Sequence, residues 1–402
     1  MAQAAFEFSP LHQPGTPSGH ASARRWPGPA AAPALGTATG PAAADLDATG
    51  FEIGWDHAHH RLTPPLRHLH DHNPVRQGWS AGRAAFGSRT LKPTVAVRQW
   101  LGLRLQAWQQ GEVFEGVQVN PHFLARLDGD ECPVSRQPLT LGAGRSSDAC
   151  ISRLNGAAAY AAGNLVVLSQ RVADVHQGVD AARQANPPNP PGQPAPSPLS
   201  DDESTRLAVL ASFATPLPHA QAALLALRVL PPNRARVINP VQALQVMLTL
   251  QFTQAGYARR LLALAVLMPG SEARQAFQIF MHTLLARRLS AGQAPTALAL
   301  RRAMEDSWAD ALVNRRWQRL ATRLGAADCE RLVQRAGQRG LAVGGSRWLS
   351  ADGATDGWAL PAGPAHHAAA AGPAGRAGVA GPASGIASPG IARSLGSQKL
   401  AS

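Results

Sequence analysis

The fold of this chain is decided by residues 146–172, which read SSDACISRLNGAAAYAAGNLVVLSQRV. Two short runs rich in aliphatic residues, 151–154 and 164–168, predict β-strands. The glycine- and alanine-containing residues 155–163 between them predict a loop. Ser169 is a favourable N-cap for a helix that follows the second strand. The local sequence therefore predicts a strand, a loop, a second strand and a helix, in that order.

A tight knuckle precedes this unit, because residues 132–140 read CPVSRQPLT. The whole segment resembles the HNH family, the ββα-metal finger. The resemblance is carried by Cys132, Pro133 and Ser135 in the knuckle, Arg153 and Leu154 in the first strand, Tyr160, Gly163, Asn164, Leu165, Val166 and Val167 around the second strand, and Ser169 and Arg171 at the start of the helix. Residues 54–127 also resemble the flanking region of proteobacterial proteins that carry this finger. The resemblance places the finger at residues 128–178.

The resemblance implies a metal-dependent endonuclease. In such a finger one metal ion bridges the scissile phosphate, a strand histidine activates water, and an aspartate and a helix residue hold the metal. Here Asn164 matches the asparagine that fixes the ββ connection, and Arg153 stands at the general-base position. Arginine cannot accept a proton near neutral pH. Ser152 stands at the aspartate position and Ala173 near the helix-ligand position, so the catalytic set departs from the family.

Other side chains of the finger are candidates for the missing roles. The candidate catalytic residues are Arg153 and Asn164. The candidate metal ligands are Asp148, Asp174 and His176. The candidate nucleic-acid contacts are Arg145, Arg153 and Arg171, since arginine binds phosphate in a bidentate manner. An active finger would use a divalent ion such as Mg, Mn, Ni or Zn, and an inactive one would need no cofactor.

The charge of the chain is strongly positive and unevenly distributed. Net charge is +13, and residues 201–350 hold 19 arginines against 9 acidic residues, which gives +10. Such an excess attracts polyanions, and we expect DNA rather than RNA. A GC-rich genome would also produce this arginine, alanine and glycine content, so charge alone leaves both explanations open.

Cysteine content and hydropathy bear on the compartment. The three cysteines are too few for a disulfide framework, which fits a reducing compartment. We see neither a secretory signal nor an apolar run long enough for a membrane span. The sequence therefore predicts a cytoplasmic protein with no membrane partner.

The predicted architecture is mainly α-helical, with a small α+β finger, a separate C-terminal helical domain and disordered termini. Residues 93–110 and 121–127 predict helices before the finger. The predicted parts are a disordered segment at 1–50, a helical flank plus finger at 51–183, a proline-rich linker at 184–200, a helical domain at 201–350 and a low-complexity tail at 351–402.

A histidine-rich stretch lies upstream of the finger, and we interpret its imidazoles as packed or solvated rather than as a metal site. It contains His57, His59, His60, His68, His70 and His72.

The sequence is compatible with three functions. The first is a nucleic-acid-binding protein with a divergent finger, and the second is an active metal-dependent endonuclease. The third is a helical interaction protein whose C-terminal domain binds another protein.

Overall fold

Helices form most of the computed structural model, which describes residues 5–7, 43–127, 129–184, 198–292, 296–342, 347–349 and 351–360. The helices are α1 (Ala43–His59), α2 (Pro74–Phe86), α3 (Val95–Gln110), α4 (Pro121–Leu124), α5 (Gln170–Gln184), α6 (Asp201–Phe213), α7 (His219–Leu224), α8 (Pro240–Gln251), α9 (Tyr257–Ala265), α10 (Gly270–Ser290), α11 (Ala297–Asp306), α12 (Ala311–Ala321), α13 (Ala326–Gln338) and α14 (Ala351–Ala354). The strands are β1 (Ala5–Glu7), β2 (Ala149–Arg153), β3 (Leu165–Ser169), β4 (Arg236–Val237) and β5 (Arg347–Leu349). None of the described helices combines the length and the apolar character needed to cross a bilayer.

The first two helices pack unusually closely through glycines. A Cβ atom added at Gly54 of α1 would overlap the carbonyl oxygen of Val75, and one added at Gly78 of α2 would overlap that of Phe51. Only glycine lets two helix backbones approach this closely. The prediction of disorder over residues 1–50 is wrong for the end of that segment, because α1 begins at Ala43.

Two of the four helices before the finger, α3 and α4, were predicted from the sequence, although α4 ends at Leu124 and not at residue 127. Thr94 caps α3 by accepting a hydrogen bond from the backbone N–H of Val97 at 3.2 Å, and the helix ends at Gly111, which is left-handed with φ 66°. Asn120 caps the shorter α4 in the same way. Between His60 and Asn73 the structure has only a 3-10 turn, Leu66–His68.

The C-terminal half is built around α8, in which every residue from Pro240 to Thr249 is buried. A helix that is apolar on all sides needs neighbours on all sides. Its polar side chains satisfy backbone and indole groups of those neighbours. Thr249 accepts a hydrogen bond from the indole of Trp308 at 3.2 Å, and the amide of Gln251 donates to the carbonyl of Leu341 at 2.8 Å.

One hydrophobic core crosses the boundary that we predicted between finger and helical domain. Val134 and Leu168 of the finger belong to the same buried cluster as Leu210 of α6. The guanidinium of Arg206 donates to the carbonyl of Val134 at 2.9 Å. The described residues accordingly form one compact unit, so the C-terminal helices are not a separate domain. Most of the predicted linker, residues 185–197, lies outside the described residues.

A three-stranded antiparallel sheet in the order β4-β1-β5 was not predicted. Phe6 of β1 is paired with Val237 on one side and Trp348 on the other. The predicted disordered N-terminus therefore contributes β1 to the fold, whereas β5 lies at the end of the predicted helical domain. The predicted low-complexity tail contributes α14. Residues 1–4, 8–42 and 361–402 of these two predicted segments lie outside the described residues.

We expect Gly78→Ala to lower the free energy of unfolding by about 3 kcal/mol, because the new methyl group would force α1 and α2 apart. The matched control is Gly102→Ala in the exposed middle of α3, where no heavy atom lies within 4 Å of the added Cβ. That change should stabilise the protein by about 1 kcal/mol, since alanine favours helix. Urea unfolding measures both, and equal effects would contradict the close packing.

Candidate functional site

The finger has the predicted order of strand, loop, strand and helix. β2 and β3 form an antiparallel hairpin in which Ile151 is paired with Val167, and α5 begins directly after β3. The predicted limits differ from the observed strands by one or two residues. We refer to residues 155–163, between the strands, as the ββ loop.

Asn164 closes the ββ loop from a fully buried position. Its Oδ1 accepts a hydrogen bond from the backbone N–H of Asn155 at 2.9 Å. Its Nδ2 donates to the carbonyls of Asn155 and Ala159 at 3.1 and 2.9 Å. We call these bonds the Asn164 clamp. They satisfy backbone groups that would otherwise be buried without partners. The role that the resemblance implies for this asparagine is therefore present in the geometry.

Tyr160 ties the ββ loop to the helices before the finger. Its backbone forms a β-bridge with Phe114, and its hydroxyl donates to the side chain of Gln110 at 3.0 Å. The guanidinium of Arg153 lies 4.6 Å from the centre of the phenol ring. Burial raises the pKa of Tyr160, so the phenol stays protonated at neutral pH. The residue acts as a structural anchor.

The knuckle is held by backbone hydrogen bonds. The N–H of Arg136 donates to the carbonyl of Cys132 at 2.8 Å, and the N–H of Cys132 donates to the carbonyl of Gln137 at 2.9 Å. Arg136 has a positive φ of 57° at the tip of this turn. The thiol of Cys132 is buried among core side chains. The turn is therefore closed by the chain itself.

The three predicted metal ligands lie in different environments. Asp148 accepts hydrogen bonds from the hydroxyl of Thr140 and from the backbone N–H of Arg145, and these bonds hold the pKa of its carboxyl below the usual range. Asp174 is exposed on α5 and accepts from the amide of Gln170 at 2.6 Å. Nε2 of His176 donates to the carbonyl of Arg153 at 2.9 Å. Within the described residues, no three His, Cys, Asp or Glu side chains converge on one point.

The positions at which the family holds its metal do not fit an ion here. Ser152 carries only a hydroxyl and Ala173 only a methyl group, and both side chains are buried. Arg153 is engaged by the carboxylate of Glu112, with Nη1–Oε2 and Nη2–Oε1 distances of 2.7 and 3.1 Å. A hard divalent cation requires oxygen ligands that are free to coordinate. The positions that the resemblance assigns to metal ligands therefore provide no ligand set here.

Two of the three predicted phosphate-binding arginines are neutralised within the protein. Arg153 is paired with Glu112, and Arg171 is paired with Glu203 of α6 and also donates to the carbonyl of Pro198. The guanidinium of Arg145 is exposed and makes no hydrogen bond or ion pair with any described residue. Of the predicted set, only Arg145 can give its full charge to a ligand.

Segments far along the chain from the ββ loop cover it, and local sequence patterns did not predict these contacts. The indole of Trp358 donates to the carbonyl of Ala162 at 3.0 Å, and its own carbonyl accepts from Ala159 at 2.7 Å. The backbone N–H of Arg236 donates to the carbonyl of Gly163 at 3.0 Å. Gly163 has φ 87°, and a Cβ atom there would overlap the side chain of Arg236. Glycine is required at this position on both grounds.

The histidine-rich stretch packs into the N-terminal helices. His57 is 6% exposed and its Nδ1 lies 2.8 Å from the carbonyl oxygen of Ile53. His59 stacks on Phe86 with ring centroids 4.4 Å apart. Burial lowers the pKa of His57, His60 and His68. These contacts agree with the interpretation of packed histidines.

No family model matches this chain, and no curated protein or solved structure matches it either. Kinship with the HNH family is thus a prediction that rests on the motif, while the order of strands and helix is an observation.

We expect Asn164→Ala to reduce the free energy of unfolding by about 3 kcal/mol, because it leaves buried N–H and carbonyl groups without partners. Asn164→Asp should also destabilise, since it replaces the donor that serves two carbonyls by an acceptor. Asp174→Ala is the control on an exposed face and should stay within about 0.5 kcal/mol of the parent. Equal urea midpoints for all variants would show that the Asn164 clamp does not contribute to the free energy of unfolding.

Acid should destabilise the N-terminal helices. The folded-state pKa of His57 is lowered chiefly by burial, which outweighs the raising effect of Asp56. The unfolded chain therefore binds a proton first, and stability falls as pH drops below about 6.5. Thermal melting between about pH 7.5 and 5 should show this fall, and His57→Gln should reduce it. A parallel fall in both proteins would assign the effect to other groups.

Proposed function

We propose that this protein binds nucleic acid without hydrolysing it, and that its ββα unit is a structural finger. The proposal rests on one observation. The Asn164 clamp and the hairpin-helix framework are intact, while the positions of the family's metal ligands are occupied by the buried Ser152 and Ala173. A framework kept without its ligands fits a binding role better than a hydrolytic one.

Hydrolysis would require groups that the finger does not offer. A general base must be able to accept a proton within hydrogen-bond reach of the attacking water. Arg153 cannot accept one, and its guanidinium is paired with Glu112. Asp148 and His176 already serve backbone groups of the finger itself. Divalent metal ions are therefore no part of the proposed activity.

The partner is proposed from charge. The excess of arginine in residues 201–350 gives this part a charge of +10, and such a charge raises the local concentration of a polyanion. Arg145 adds one exposed guanidinium on the finger. Because the fingers that this one resembles act on DNA, duplex DNA is the first ligand to test, with RNA as the comparison.

We expect the full chain to retard labelled duplex DNA, with an affinity that falls steeply between about 50 and 200 mM salt. Supercoiled plasmid should stay intact with Mg²⁺, Mn²⁺, Ni²⁺ or Zn²⁺. Arg145→Gln should lower the salt slope by about one, because one phosphate contact is lost. The control is Arg98→Gln on α3, which also removes an exposed, unpaired arginine.

Two results would reject the proposal. Nicking that depends on a metal ion and disappears in Asn164→Ala would favour the active endonuclease instead. Absence of retardation on duplex and single strands at low salt would remove the nucleic-acid role and leave a helical interaction protein.

A further inference from the structure

A groove between α10 and α12 concentrates positive charge. It has a volume of about 400 Å³, and Arg316, Arg319 and Arg323 line one side of it. The other side is α10, which contributes Glu272, Gln275 and Ile279. We call this feature the arginine groove.

Packing below the groove fixes the two helices. Phe280 of α10 lies against Trp317 of α12, with ring centroids 5.5 Å apart. At the far end, Arg287 of α10 forms an ion pair with Asp310, which also caps α12. The arginine groove is therefore a preformed surface on rigid elements, which reduces the ordering cost of a bound ligand.

The guanidinium groups of the arginine groove differ in their partners from those of other arginines in this protein. Arg136 and Arg171 are each paired with carboxylates. By contrast, the guanidiniums of Arg316 and Arg319 have neither a hydrogen bond nor an ion pair in the described part of the chain.

The one carboxylate in the arginine groove is a weak partner. Nε of Arg323 lies 3.8 Å from Oε2 of Glu272, whose side chain is 85% exposed. Such an exposed pair contributes little energy. Three arginines against one glutamate leave the described lining of the groove with a charge of +2.

We propose that the arginine groove binds the phosphate backbone of one nucleic-acid strand; this rests on the proposed function and assigns it a contact surface. Residues 316 to 323 span about 10 Å at the helical rise of 1.5 Å per residue. That length matches roughly three nucleotides at 3.4 Å of axial rise per strand. Arginine pairs with phosphate oxygens in a bidentate manner. Ala276 and Ile279 give the groove an apolar wall against which a sugar can pack.

A purely structural role explains only part of the arrangement. Cations near the carboxyl end of a helix stabilise its dipole, which accounts for Arg319 near the end of α12 and Arg323 just beyond it. Arg316 lies in the middle of α12, too far from the carboxyl end to be stabilised by the helix dipole. Its position on the groove is explained by an anionic ligand.

The test measures binding of the full chain to a labelled strand of about 20 nucleotides and to its duplex, over about 50–200 mM salt. We expect the double variant Arg316→Gln/Arg319→Gln to lose about tenfold in affinity and to lower the salt slope by about two. Glu272→Gln should bind about twofold to threefold more tightly, because it removes the only carboxylate of the arginine groove.

The matched control is Arg89→Gln/Arg98→Gln, which removes the same charge from two exposed arginines whose guanidiniums have no partner among the described residues. It should change affinity less than about twofold. Thermal melting confirms that every variant is folded. Equal losses in the two double variants, or no loss in either, would overturn the arginine groove while leaving the proposed function intact. If the parent protein binds no nucleic acid at low salt, the proposed function fails and the groove assignment fails with it.

Discussion

The side-chain amide of Asn164 is the constraint on which the rest of the structure depends. It is fully buried and makes three hydrogen bonds to the backbone of the ββ loop. A buried amide left without partners costs several kcal/mol, so the loop has one conformation and keeps it. Tyr160 then joins this fixed loop to α3, and Trp358 and Arg236 join it to the C-terminal segments. One small hairpin thus organises contacts from three remote parts of the chain.

The small residues Ser152 and Ala173 agree with the burial of this ββα unit. A carboxylate that is buried without its cation is strongly destabilising, because the charge loses its hydration. Once helices of the C-terminal half cover the finger, Ser152 and Ala173 are residues that this environment tolerates. The ββα unit is thus part of a hydrophobic core, and the hydrogen bonds of Asn164 fix the shape of its loop.

Arginine serves two purposes in this protein, and its surroundings decide which. Arg153 and Arg171 form ion pairs with carboxylates, so their charges are neutralised within the protein. Arg316 and Arg319 have no carboxylate partner in the described part of the chain and remain able to attract an anion. Total charge is thus a poor guide to function, because a paired guanidinium and a free one count equally in the sum.

Local sequence patterns were enough to predict the order of strands and helix around Asn164, and the limits of α3 to within two residues. Apolar periodicity and turn residues act over a few neighbouring residues. The sequence also identified Asn164 as the residue that closes the loop. It could not reveal the α1–α2 pair, since glycines that allow close approach leave no apolar stripe, nor the sheet of β1, β4 and β5, whose strands lie far apart in the chain. Which arginines are free depends on tertiary packing. Glu112 and Glu203 lie 41 and 32 residues from the arginines that they neutralise, and pairing over such distances is set by how the helices pack.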